Sequence, residues 1–327
     1  MLCRTANDLY WTARHIERAE NTARMIDIAQ RIELLPERTE GGRQEAAAWR
    51  RALEALGLAP EYAARHGTVT PARVLRFLCL EPENPSSIYT CVRAARESAR
   101  AQRGAITVEM YEDINTSWLE MRALGSERFE NDGLPRFIEW VKTRSASFRG
   151  VTVGTMGRDE GYQFMRLGVF TERADCCVRM LDIKYSEPLT GEAGDARKAL
   201  GYYQWSALLY AMSAFETYRR LYRTAITPER VAELMILRED LPRSLAACTS
   251  AIHGVLQILS GQPKSEVVRL AGILAAETRY GRIDAILAEG MDVYLERFMG
   301  RLFALAAEVD RHFMIATDVN ASATSAT

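Results

Sequence analysis

Residues 17–27 read ERAENTARMID, and residues 172–182 read ERADCCVRMLD. At an offset of 155, Glu17, Arg18, Ala19, Arg24, Met25 and Asp27 recur as Glu172, Arg173, Ala174, Arg179, Met180 and Asp182, while Glu20 becomes the equivalent acid Asp175. Wound at about 100° per residue, the first segment places Leu9, Ala13, Ile16, Ala19, Ala23 and Ile26 on one broad side. The second does the same with Phe164, Gly168, Ala174, Val178 and Leu181. Both are therefore read as helices with a core-facing side. Glu20, Asp27, Asp175 and Asp182 fall inside those sides, with Glu17 and Arg24 at a border. The repeat predicts a single domain over residues 1–315 with two pseudo-symmetric halves, about 1–150 and 151–315.

Helical periodicity continues outward from these segments. The first helix is expected to open at Thr5 as N-cap, with Asp8 completing a capping box, and to run to about Pro36. Further helices are expected at about 43–57, from Thr70-Pro71, from Ser87 to about Leu124 as one long element, from Pro135, and from Arg158 to about Tyr185. The rest are placed at 196–223, 228–240 (opened by the cap Thr227 before Pro228), 243–260, 264–280 and 282–315, and the small polar ending 316–327 reads as a loose tail. Apart from a short β-branched run at Val151–Val153, nothing alternates as a strand does. The fold class is all-α, a multi-helix bundle.

Composition bounds the function. The chain has 327 residues, 42 Lys+Arg against 43 Asp+Glu, and 48% hydrophobic residues. This profile excludes disorder, and the formal net charge of −1 argues against a general nucleic-acid binder. Arginine supplies 38 of the 42 cations, a bias that suits buried ion pairs and bidentate anion contacts. Six cysteines form no C-x-x-C, so a reducing cytoplasm is expected. No apolar leader and no run of ~18 apolar residues is present, which predicts neither secretion nor membrane insertion.

An ionised carboxylate on an apolar helix face needs a partner. Besides the repeat acids, Glu109 and Asp113 interrupt the stripe of the long central helix, and Glu216 continues the stripe Trp205, Leu209, Met212. Two readings stay open. Arg24, Arg179 and Arg220 pair with the acids in a structural lattice, or the polar face lines a cavity that binds a charged small molecule, a peptide end or a divalent cation. A third reading makes Glu20, Asp175, Glu109 or Glu216 a general base raised in pKa by burial. A ferritin-like di-iron site is disfavoured, because no histidine has an acid three residues before it. Oxygen-only Mg²⁺ or Mn²⁺ ligation is disfavoured by the neighbouring arginines. Asn84-Pro85-Ser86-Ser87 and Leu241-Pro242-Arg243-Ser244 read first as turn and helix start, the former also as an anion cradle. Arg158, Asp159 and Glu160 form either a charge set at a helix start or an edge of the site.

The opening MLCRTANDLYWTARHIERAENTARMID, the NPSSI at 84–88 with ARESAR at 95–100, TMGRDEGYQFMRLGVFTERAD at 155–175 and LPRS at 241–244 resemble the bacterial alpha-E family from Met1 to about residue 315. Cys3 stands where Ser is usual, and Val169-Phe170-Thr171 departs from the usual stretch before ERAD. The resemblance implies an all-helical domain working beside circularly permuted ATP-grasp amidoligases, often with a transglutaminase-like peptidase. The business it implies is making or modifying peptide-like amide bonds, with ATP entering only through the partner ligase. It marks Glu17, Arg18, Glu20, Arg24, Glu172, Arg173, Asp175 and Arg179, with Asn84, Ser86, Ser87, Arg158, Asp159 and Glu160, as signature positions. Together with Glu109 and Glu216 they are the candidate contacts for an amino acid, peptide end or acyl phosphate.

Overall fold

A computed structural model describes residues 1–33, 45–123, 133–185 and 195–314. The expected helix end at Pro36 and the expected tail at 316–327 lie outside the described residues. The elements are α1 (Cys3–Glu33), α2 (Glu45–Ala55), α3 (Ala59–His66), α4 (Pro71–Cys79), α5 (Ile88–Ala101), α6 (Val108–Ala123), α7 (Gly133–Thr155) and α8 (Glu160–Tyr185). They continue with α9 (Asp195–Ala211), α10 (Phe215–Tyr222), α11 (Pro228–Leu237), α12 (Leu245–Ser260), α13 (Glu266–Arg279), α14 (Ile283–Glu289) and α15 (Met291–Val309). A π turn at Asp310–Met314 extends α15. No strand occurs among the described residues, and Val151–Val153 lies inside α7. The chain is an all-α bundle.

Start signals written in the sequence act as expected. The hydroxyls of Thr70, Ser87, Thr227 and Ser244 each accept the backbone N–H three residues on, capping α4, α5, α11 and α12. Thr5 does not cap. Helix α1 already begins at Cys3, and the Thr5 hydroxyl donates instead to Gln102 Oε1 at 3.0 Å.

Three expected long helices are broken. The segment 87–124 divides into α5 and α6, because Gln102 turns its amide back to Asp8 (2.6 Å) and Thr107 caps a new start at Met110 N. The segment 196–223 divides at Ser213, whose φ is +56°. The segment 282–315 divides at Gly290, where φ is +103°, a backbone state open to glycine and costly for other residues.

Helix α1 is the axis of the bundle, touched by α2, α4, α5, α7, α8 and α9. Every residue from Ala19 to Ile26 is buried, so all sides of the helix are covered there, beyond the single apolar side that periodicity alone indicates. Helix α8 runs parallel to it. The Met1 amino group reaches Glu160 at 2.8 Å, Leu9 lies against Gly161, Ala13 against Gly168, and Glu17 against Arg173. Two long helices pointing the same way need a return path, and α2–α7 supply it.

Gly168 sets how closely they approach. A Cβ at this position would lie 2.3 Å from the Tyr10 carbonyl oxygen, which is backbone and cannot swing aside. Gly168→Ala should therefore cost about 1–3 kcal/mol of stability. Gly150→Ala in α7, where a Cβ meets nothing within 4 Å, should instead gain about 0.5–1 kcal/mol. Denaturant unfolding of the two variants checks the pair, and a neutral Gly168→Ala would contradict the close approach.

Candidate functional site

At the waist of the α1–α8 contact, the two Glu-Arg dipeptides cross. Arg18 donates through Nε to Glu172 Oε1 at 2.7 Å and through Nη2 to Oε2 at 3.0 Å. Arg173 answers through Nε to Glu17 Oε1 at 2.8 Å and through Nη2 to Oε2 at 3.3 Å. Each Glu-Arg dipeptide thus lends its arginine to the glutamate of the other. Parallel helices in this register bring 17 beside 173 and 18 beside 172, so both two-pronged pairs form together.

Around this crossing further arginines converge. Arg14 of α1 donates to Glu172 at 2.9 Å. Arg243, just before α12, reaches Glu17 at 2.9 Å and Glu20 at 2.6 Å. Arg149 of α7 lies 3.1 Å from Glu17 and also bonds Glu20. Glu20 takes Arg24, one turn on, at 2.6 Å and the Ser145 hydroxyl at 2.6 Å. Arg24 also donates to the Ala211 carbonyl at the end of α9 and to the Ser213 hydroxyl, so the break after α9 serves as its receptor. Asn21 links the set, donating to the Glu172 carbonyl and accepting from Arg243.

Six arginines meet three glutamates, and Glu17, Glu20 and Glu172 are at most 4% exposed. Burial alone would raise the Glu172 carboxyl, but Arg18 and Arg14 overcome it and hold it at about 2. Glu17 is likewise drawn below its ordinary value: burial opposes, and Arg243 and Arg173 prevail. Glu20 follows, with Arg243, Arg149 and Arg24 outweighing its burial. Arg24 is pulled down from its usual value by burial and by Arg243, a sign of crowded cations.

Several expectations change. Arg24 and Arg179 do pair with acids, Arg179 to Asp175 at 2.8 Å, but Arg220 is exposed. Glu109 and Glu216 are exposed rather than core-facing, because the breaks at 102–107 and 212–214 reset the helical phase. Asp182 is also exposed, and Asp27 is half-buried against Arg31 at 2.9 Å. Glu20 is not a carboxyl raised by burial. Its shift has the opposite sign because guanidinium groups surround it, and it is a poor proton acceptor. Asp113 does find a partner, Arg144, at 2.9 Å. Among the described residues, no three His, Cys, Asp or Glu side chains gather as a candidate cation site.

The outlying positions have local work. Asn84 is buried, donating to the Phe77 carbonyl and accepting the Ser86 N–H. The Ser87 hydroxyl caps α5 and donates to the Glu81 carbonyl. Arg158 lies 4.2 Å from the Tyr162 ring centre, Asp159 accepts the Tyr162 N–H, and Glu160 holds the Met1 amino group. Arg158, Asp159 and Glu160 stand at the exposed start of α8, away from the crossing.

The crossing has two flanks, each opening on a cavity. One, about 280 Å³, is polar and is lined by Arg14, Arg18, Ser86, Glu172, Asp175 and Arg179 among others. The other, about 190 Å³, lies between α1, α7 and α8 and is mainly apolar, with Glu17, Arg149 and Arg173 on its wall. Arg14, Arg149 and Arg243 were not singled out by the sequence. Arg243 sat within a recognised helix start, and Arg149 follows Phe148 on the buried stripe Ile138, Val141, Ser145.

The fold and this site define an all-helical domain organised on a buried, crossed arginine–glutamate cluster. Over residues 1–314 the chain matches the model of Alpha-E, described as a predicted alpha-helical domain with a conserved ER motif, and it belongs to that family. No curated protein and no solved structure matches it.

Acid should act through this cluster. Glu172 titrates near 4.5 when unpartnered and at about 2 in the fold, so between those values the unfolded chain binds more protons and falling pH favours unfolding. The contribution, on the order of 3 kcal/mol for this buried group, is fully present above about pH 4.5 and lost towards pH 2. Glu17 and Glu20 act in the same direction. Chemical unfolding measured from pH 7 to pH 2 should show a plateau and then a fall. A flat profile in the wild type would contradict it.

Proposed function

We propose that the chain is a helical partner subunit of an ATP-grasp amidoligase system that makes or modifies peptide-like amide bonds. In this reading the polar cavity receives an amino acid, a peptide end or an acyl phosphate. The observation that carries the binding half is the makeup of that cavity. Arg14, Arg18 and Arg179 surround one space with Glu172, Asp175 and Ser86, and the Ser86 hydroxyl makes no hydrogen bond among the described residues. Arginine grips carboxylate or phosphate by paired N–H donors, and Asp175 at the same wall suits an amine. The surplus of arginine over glutamate next door raises the local potential for an anion.

Division of labour reconciles this with a structural role. Glu17, Glu20 and Glu172 brace the bundle, while the more exposed Arg18, Asp175 and Arg179 face the ligand. The partner half rests on the family setting, which supplies the ligase and a transglutaminase-like peptidase as candidate companions. A cytoplasmic location fits the six free cysteines. No helix among the described residues is long and apolar enough to cross a membrane.

Tagged protein recovered gently from its native cell should bring an ATP-grasp ligase at comparable molar amount. The ligase's product yield should fall several-fold when Asp175→Asn or Arg179→Gln replaces wild type, with helical content unchanged. The same yield with the subunit omitted would refute the proposal.

A further inference from the structure

The second cavity differs in kind. Phe148, Val153, Met165, Val169 and Phe170 give it an apolar wall, and Arg166 stands on that wall with Arg149, Arg173 and Glu17. Three guanidinium groups therefore face one carboxylate, and that carboxylate is already bound by Arg173 and Arg149. Arg166 is half-buried and donates to the Gln163 side-chain oxygen at 3.1 Å. Among the described residues it has no carboxylate partner, unlike the six arginines of the central cluster. A guanidinium carries five N–H donors, so most of those on Arg166 remain available.

We infer that this cavity, between α1, α7 and α8, binds a small carboxylate with an aromatic or branched apolar tail, its anionic end on Arg166. The walls exclude water from one side of the contact and so strengthen a charge-assisted hydrogen bond there. Size narrows the tail. A cavity of about 150 Å³ takes benzene in another protein, and the present 190 Å³ takes a phenyl ring or a branched chain of similar bulk. The surplus of arginine selects a negative head over a neutral or positive one. Val153, 56% exposed on α7, stands at the mouth.

The inference is independent of the amide-ligase reading, which uses the polar cavity. Its test uses the full chain and three probes of one shape: phenylacetate, phenylacetamide and 2-phenylethylamine, titrated by calorimetry. Phenylacetate should bind saturably, and the amide and the amine at least about tenfold more weakly. Arg166→Gln removes a charge-assisted contact and should weaken phenylacetate by about tenfold or more. Val153→Trp fills the mouth without touching a charge and should abolish binding. Arg220→Gln, at an exposed position outside both cavities, should leave it unchanged. Equal affinity for the amide, an unaltered Arg166→Gln or Val153→Trp, or no saturation with phenylacetate would each overturn the assignment. Circular dichroism confirms that the variants are folded.

Discussion

Two glutamates and two arginines at the waist of the α1–α8 contact can be satisfied together in one register only. Glu17 needs Arg173, and Arg18 needs Glu172. A slide of one residue along either helix would leave buried charges facing apolar neighbours, which costs several kcal/mol per ion. Replacing such a set by well-packed apolar residues is often neutral or stabilising, so its value here is specification. It fixes which turn of α1 meets which turn of α8. Gly168 then lets the backbones close to contact, and the remaining helices pack round a pair whose alignment is set.

That constraint has an electrostatic consequence. Satisfying Glu17, Glu20 and Glu172 draws in Arg14, Arg24, Arg149 and Arg243 beyond the crossed pair. The cluster is left with three more arginines than glutamates. Arg24 dissipates part of that excess into the carbonyl end of α9 and the Ser213 hydroxyl. The rest is expressed on the two flanks, where the cavities open. One flank offers both signs of charge, the setting proposed for an amino acid, a peptide end or an acyl phosphate. The other offers cations set in an apolar wall, suited to an amphiphilic anion. A structural device thus leaves an excess of guanidinium groups on two flanks as a by-product of its own stoichiometry.

How much of this is legible in the sequence follows from what periodicity can carry. The all-α class, the caps at Thr70, Ser87, Thr227 and Ser244, and the buried stripe Leu9, Ala13, Ile16, Ala23 and Ile26 depend on neighbours within a turn or two. Such neighbours are visible in a string of residues. Periodicity puts Glu109 and Glu216 on the core side, but 100° per residue does not carry through the breaks at 102–107 and 212–214. Gln102 and Ser213 make those breaks through partners on α1, which are distant in sequence. The repeat marked Glu17, Arg18, Glu172 and Arg173 as special, but a string cannot show that the pairs cross between helices. Arg149 and Arg243 escaped for the same reason: each acts on glutamates more than a hundred residues away.

The crossing itself is open to direct measurement by a double-mutant cycle on Arg18→Gln and Glu172→Gln, with unfolding free energy as the readout, and a matching cycle on Glu17→Gln and Arg173→Gln. The structure predicts a coupling of about 1–3 kcal/mol in each cycle. Additive effects within each Glu–Arg cycle, below about 0.5 kcal/mol, would show that the dipeptides do not pair across α1 and α8 and would contradict the basis of the fold and of both cavities.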